Sequence, residues 1–154
     1  MKTLRLYLDT SVIGGYFDPE FAEPTRRLFD GFRAGRSVVV VSNIVMAELA
    51  GAPPQVRELV TASSEFVVEV VTEDEESITL AGDYIAAEVV SGNFYNDCRH
   101  VALAAVTRAD LLVSWNFRHI VRFDSIRAYN AVNLVKGYGM LDIRSPLEVF
   151  PDED

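Results

Sequence analysis

The chain has 154 residues, 49% of them hydrophobic and 24% charged, a size and composition suited to one ordinary globular domain. Its net charge of −9 argues against nucleic-acid binding through a global basic field. With one cysteine (Cys98), no apolar run long enough to cross a bilayer and no signal-peptide pattern after Met1, the expectation is a single cytoplasmic domain over residues 1–154, with no disulfide and no membrane partner.

The first strand-like run is Leu4–Leu8, closed by Asp9. Leu28, Phe29 and Phe32 then keep helical spacing, with Gly35 as a C-cap. The run Ser37–Val41 carries four consecutive valines, the pattern of a strand covered on both faces. A helix is expected after it, with Glu48 near its start, and another over Val56–Val60. The third strand is predicted at Phe66–Val71. Thr72 and Glu75 then have capping-box spacing and open a helical stretch through Val90. Asp97 is expected to N-cap a helix whose apolar face is Cys98, Val101, Ala102 and Ala105. Leu111–Ser114 reads as the fourth strand, with Asn116 just past it. Ile126, Tyr129 and Val132 keep a looser helical spacing, and a weak strand lies near Leu141–Ile143.

Strand and helix alternate throughout, which predicts an α/β fold with a mainly parallel sheet. In such sheets ligands sit beyond the carboxyl ends of the strands, near the point where strand order reverses. Asp9, Glu48, Asp97 and Asn116 are then expected along one sheet edge. Single carboxylates within apolar stretches are expensive to desolvate. Three that converge from distant parts of a chain call for a hard divalent cation, Mg²⁺ or Mn²⁺, and metal-assisted phosphodiester hydrolysis is the reaction class that follows.

Each position has a purely structural alternative. Asp9 can cap a turn with Thr10 and Ser11, Glu48 can pair with an arginine, Asp97 can be an N-cap, and Asn116 can be a turn residue. Charge is also unevenly spread. Six acids fall between Glu65 and Glu76, whereas five arginines and two acids lie between Arg99 and Arg127. Arg99 and Arg118 are candidates for substrate phosphates, or for simple pairing with acids. His100 and His119 are expected as surface or capping residues. Trp115 and Phe117 are expected in the core, with stacking on an unpaired base as the alternative.

The segments Tyr7-Leu8-Asp9-Thr10-Ser11-Val12-Ile13, Met46-Ala47-Glu48-Leu49, Asn96-Asp97-Cys98 and Leu112-Val113-Ser114-Trp115-Asn116, in this order, resemble a PIN domain over essentially the whole chain. The resemblance implies a three-layer α/β/α sandwich and a metal-dependent ribonuclease. It also implies the toxin role of the VapC-type members, held inactive by a partner antitoxin, and a homodimer. Carried over by position, Asp9, Glu48 and Asp97 match the family's acids and metal ligands. Ser11 and Ser114 match supporting hydroxyls. Asn116 departs from the family's usual aspartate, which opens the alternative of a catalytically weak binding or regulatory module. Other nucleotide and phosphate chemistries fit less well. A haloacid-dehalogenase-type phosphatase needs an acid where Ser11 stands, and Gly14-Gly15 supplies no dinucleotide fingerprint.

Overall fold

The computed structural model describes residues 3–62 and 64–150. Five strands form one sheet: β1 (Leu4–Leu8), β2 (Ser37–Ser42), β3 (Val68–Val71), β4 (Leu111–Val113) and β5 (Asp142–Arg144). Their spatial order is β3-β2-β1-β4-β5, and every pairing is parallel. Seven helices connect them among the described residues: α1 (Thr10–Gly15), α2 (Ala22–Arg33), α3 (Asn43–Leu49), α4 (Pro54–Thr61), α5 (Glu75–Ala86), α6 (Tyr95–Val106) and α7 (Phe123–Val135).

Successive side chains of a strand point to opposite faces, so a sheet covered on both sides needs two apolar sets. Leu6, Leu8, Val39, Val41, Leu111 and Val113 pack on one face with Val12, Ile13, Phe29 and Phe32 from α1 and α2. Tyr7, Val40, Leu112 and Ile143 pack on the other with Leu80, Tyr84, Val101 and Tyr129 from α5, α6 and α7. The result is the three-layer α/β/α sandwich with a parallel central sheet.

Element ends differ from the sequence reading for local reasons. The capping box forms two residues later than expected, between Asp74 and Ser77. Thr72 cannot serve, because the chain is still extended as it leaves β3, and the Glu73 amide donates to Asn43 Oδ1. The helix then stops at Ala86, where Glu88 takes a left-handed φ of 58° and the Val89 amide closes on the Tyr84 carbonyl. Glu48 lies in the last turn of α3, not its first, because β2 runs on to Ser42, whose hydroxyl caps the helix at the Val45 amide. Asp97 sits inside the first turn of α6, while the N-cap position is Phe94, at the end of a short 3-10 turn. Gly35 behaves as expected. At φ 77° it lets the Arg36 and Gly35 amides close on the carbonyls of Gly31 and Phe32.

One close approach ties the fold to the site. Trp115, just beyond β4, packs against Phe21 and donates from Nε1 to Thr25 Oγ1 at 2.9 Å. A Cβ on Gly15 would lie 2.8 Å from that same Nε1 and 2.9 Å from Cδ1. Gly15→Ala should therefore cost about 1–3 kcal/mol by overpacking, read as a lower urea midpoint at unchanged slope. A variant as stable as the parent would show that Trp115 can move.

Candidate active site

The order β3-β2-β1-β4-β5 places its reversal between β1 and β4, because the chain builds outward from β1 to β2 and β3 and then crosses to β4. Asp9 follows β1 at this point. It is 4% exposed and is the N-cap of α1, accepting weakly from the Val12 amide at 3.4 Å. Its two carboxylate oxygens take one hydroxyl each, Oδ1 from Ser11 at 2.6 Å and Oδ2 from Ser114 at 2.5 Å. Both hydroxyls are themselves fixed. The Trp115 amide donates to Ser11 Oγ and the Asn116 amide to Ser114 Oγ, each at 2.9 Å. The loop after β4 thus aims two O–H donors at one buried carboxylate.

Asp97 and Asn116 complete the centre. The Asp97 carboxyl is pushed above its ordinary value of 3.8, first by burial and also by the charge of Asp9, against the pull of His119 and His100 and of the Asn116 side chain. Asn116 Oδ1 is committed to the Arg118 and His119 amides at 3.1 and 2.9 Å. The amide therefore offers Asp97 its N–H end, and the turn-residue role and the site role coexist.

Glu48 stands in a different set of contacts. Its Oε1 meets His100 Nε2 at 2.6 Å and the Thr10 hydroxyl at 3.1 Å. The His100 bond is the main reason its carboxyl is held below the ordinary range. His100 is buried within α6, contrary to the surface or capping position expected for it. Its Nδ1 reaches the Tyr7 hydroxyl at 2.8 Å, and Tyr7 reaches Ser42 Oγ at 2.8 Å. Its spacing of three residues from Asp97 puts both on one face of α6, a signal present in the sequence. Arg99 does not reach toward substrate. It forms a two-pronged pair with Glu73, Nε to Oε2 at 2.9 Å, because the turn after β3 brings Glu73 beside α6. Arg118 is exposed and has no ion-pair partner among the described residues. Cys98 is buried, and its thiol is pushed up to about 11 by burial.

No group of three His, Cys, Asp or Glu side chains that could hold a metal forms among the described residues. Asp9 and Asp97 do fit a hard cation. Both carboxyls are raised by burial, Asp97 is raised further by Asp9, and Mg²⁺ is commonly held by one or two carboxylates with water and phosphate filling the rest.

No family model and no curated protein matches this chain by sequence. Solved structures do match. FitAB bound to an IR36 DNA fragment has a TM-score of 0.60 at 16% identity, covering 96% of this chain and 99% of that one. FitAcB from Neisseria gonorrhoeae has a TM-score of 0.57 at 15% identity, covering 94% and 99%. VapC20 of Mycobacterium tuberculosis, a sarcin-ricin loop cleaving toxin, has a TM-score of 0.55 at 15% identity, covering 74% and 92%. The chain has the PIN fold. At such identities the likeness is one of architecture, so the resemblance read from the sequence holds at the level of the PIN fold. No helix among the described residues is long and apolar enough to cross a membrane.

The state of Asp9 couples stability to pH. Burial raises its carboxyl above 3.8, against the pull of His100 and the two serine hydroxyls. A raised value in the folded protein contributes stability that is present below 3.8 and lost as pH rises through the folded value. Asp9→Asn lacks that loss. In metal-free buffer its stability relative to wild type should rise from acid pH to neutrality, and Mg²⁺ should remove the gain by stabilising only the wild type. Urea melts across pH check this. A parallel pair of pH profiles, unchanged by Mg²⁺, would contradict it.

Proposed function

We propose that this protein is a metal-dependent endoribonuclease, the toxin member of a toxin–antitoxin pair. The observation that carries the proposal is the buried Asp9 carboxylate, pinned by Ser11 and Ser114 at the sheet's switch point and electrostatically coupled to Asp97. A fold gains nothing in stability from burying one carboxylate near another. Such an arrangement is retained where a cation or a reacting group uses it.

Asp9 and Asp97 are the residues that would hold Mg²⁺ or Mn²⁺. When bound, such an ion supplies a polarised water and offsets charge gathering on the phosphodiester. The chain's own groups do the rest. Ser11 and Ser114 fix the Asp9 plane, and Asn116 orients Asp97 through its N–H end. Glu48, held ionised by His100, leaves its Oε2 without a hydrogen-bond partner among the described residues and able to accept from water. Arg118 is free to meet a phosphate oxygen. Glu48 is thus proposed as a catalytic neighbour of the acid pair and not as its third ligand. An antitoxin that inhibits the protein, and a homodimer, complete the proposal on the strength of the sequence resemblance.

A second reading, a binding or regulatory module with weak catalysis, is favoured by one observation. Asn116 presents a hydrogen-bond donor to Asp97 where an acid would add charge.

Purified protein with Mn²⁺ should cut RNA, and Asp9→Asn/Asp97→Asn should lower the rate by about a hundredfold or more, the scale of losing a charge-stabilising group. Equal cleavage by both proteins would mark a contaminant and leave the module reading. Asn116→Asp should bind Mn²⁺ more tightly in a calorimetric titration, because it replaces a donor beside Asp97 with a negative charge. An unchanged affinity would remove Asn116 from the site.

A further inference from the structure

Helix α3 is tied at both of its ends by one run of side chains that passes through the core. At its N-cap the Ser42 hydroxyl accepts from the Val45 amide and lies 2.8 Å from the Tyr7 hydroxyl. Tyr7, fully buried in β1, reaches His100 Nδ1 at 2.8 Å. His100, buried in α6, reaches Glu48 Oε1 through Nε2 at 2.6 Å, and Glu48 lies in the last turn of the same α3. The Thr10 hydroxyl, next in sequence to Asp9, donates to that oxygen as well. Donors and acceptors match along the whole run. An ionised Glu48 only accepts, so Nε2 carries a proton. In a neutral ring Nδ1 then accepts from Tyr7, Tyr7 from Ser42, and Ser42 from the Val45 amide. A charged ring keeps the same contacts with Tyr7 donating to Ser42, so the tether does not depend on the ring's charge.

Buried polar groups are costly unless each is paired, and phenylalanine and leucine would fill the Tyr7 and His100 positions with nothing to satisfy. The tether also runs through the same two elements as the acid pair. Tyr7 precedes Asp9 by two residues along β1, and His100 follows Asp97 by three in α6, one turn on along the same face. The Tyr7–His100 bond therefore holds α6 against β1 one step from the place where Asp9 and Asp97 are coupled. Edge-on contact of the two rings, with centroids 5.8 Å apart and planes inclined by 67°, adds a packing restraint to that bond. We infer that Tyr7 and His100 are positioning residues, a tether anchored in the core that sets where the Glu48 carboxylate stands relative to Asp9 and Asp97. Tether and Thr10 both take Oε1, which leaves Oε2 for a water. The catalytic consequence rests on the nuclease reading; the tether itself rests on contacts within the fold.

Two measurements test this. In metal-free protein the His100 Nε2 proton is followed by ¹H–¹⁵N NMR of the histidine rings. Tyr7→Phe, which keeps the ring and removes one oxygen, should speed the exchange of that proton with water by about tenfold, the scale of one lost hydrogen bond. An unchanged exchange rate would overturn the inference. RNA cleavage with Mn²⁺ is then measured under single turnover. Tyr7→Phe and His100→Leu should each lower the maximal rate by about tenfold or more and leave RNA affinity within about twofold, the pattern of a misplaced catalytic group. Combined with Glu48→Gln, neither should lower the rate further, because both act through Glu48. His100→Gln, whose amide N–H still donates toward Glu48, should recover part of the rate lost in His100→Leu. Thermal melts check that each variant is folded. Losses that multiply with that of Glu48→Gln would reduce both residues to a general role in stability and overturn the inference. A wild-type protein that does not cut RNA, with the Nε2 proton responding to Tyr7→Phe as stated, would sink the nuclease reading and leave the tether standing.

Discussion

One carboxylate held by two hydroxyls organises this end of the molecule. Ser11 belongs to α1 and Ser114 to the segment after β4, so their bonds to Asp9 join the carboxyl ends of the two central strands. Each hydroxyl already accepts a backbone amide, from Trp115 or Asn116, which leaves its proton free to point at Asp9. Donors fixed in this way favour an ionised carboxylate in a place where burial opposes it. Burial wins, and Asp9 stays raised. The site therefore carries a demand for positive charge that the protein itself only partly meets.

The partial answers come from His100 in α6 and His119 in the segment after β4. Both pull the neighbouring acids down, yet each is also occupied, His100 between Tyr7 and Glu48 and His119 on the Phe94 ring. Arg99, a nearby permanent cation, is turned away to Glu73. Had Arg99 paired with Asp97, the acid pair would be neutralised and closed to a cation or a phosphate. A buried carboxylate beside a second acid breaks the ordinary rules of folding, and such breaks are expected where function overrides stability.

Much of this is legible in the sequence. The alternation of apolar runs marks all five strands to within two residues and, with them, the layered class. Asp9 and Asn116 stand out at strand ends because a polar residue that closes an apolar run marks the rim of the sheet, where ligands bind. Sequence reasoning fails where one residue type can serve two ends. Thr72–Glu75 has the capping-box spacing, yet the box forms between Asp74 and Ser77, whose serine at the fourth position falls outside the usual pattern. Glu48 reads as lying near the start of its helix, but that helix runs from Asn43 to Leu49 and delivers Glu48, in its last turn, to His100. For Arg99 the sequence leaves substrate phosphate and pairing with an acid both open, because its partner Glu73 lies 26 residues away in sequence and beside it in space.

The proposed chemistry requires Asp9 to be a raised, cation-seeking carboxyl. ¹³C-carboxyl NMR on aspartate-labelled protein measures this directly. The Asp9 resonance should titrate above 3.8 in metal-free buffer and move well below that when Mg²⁺ is present, with Asp97 following it. An Asp9 that titrates at the ordinary value and ignores Mg²⁺ would contradict the central claim.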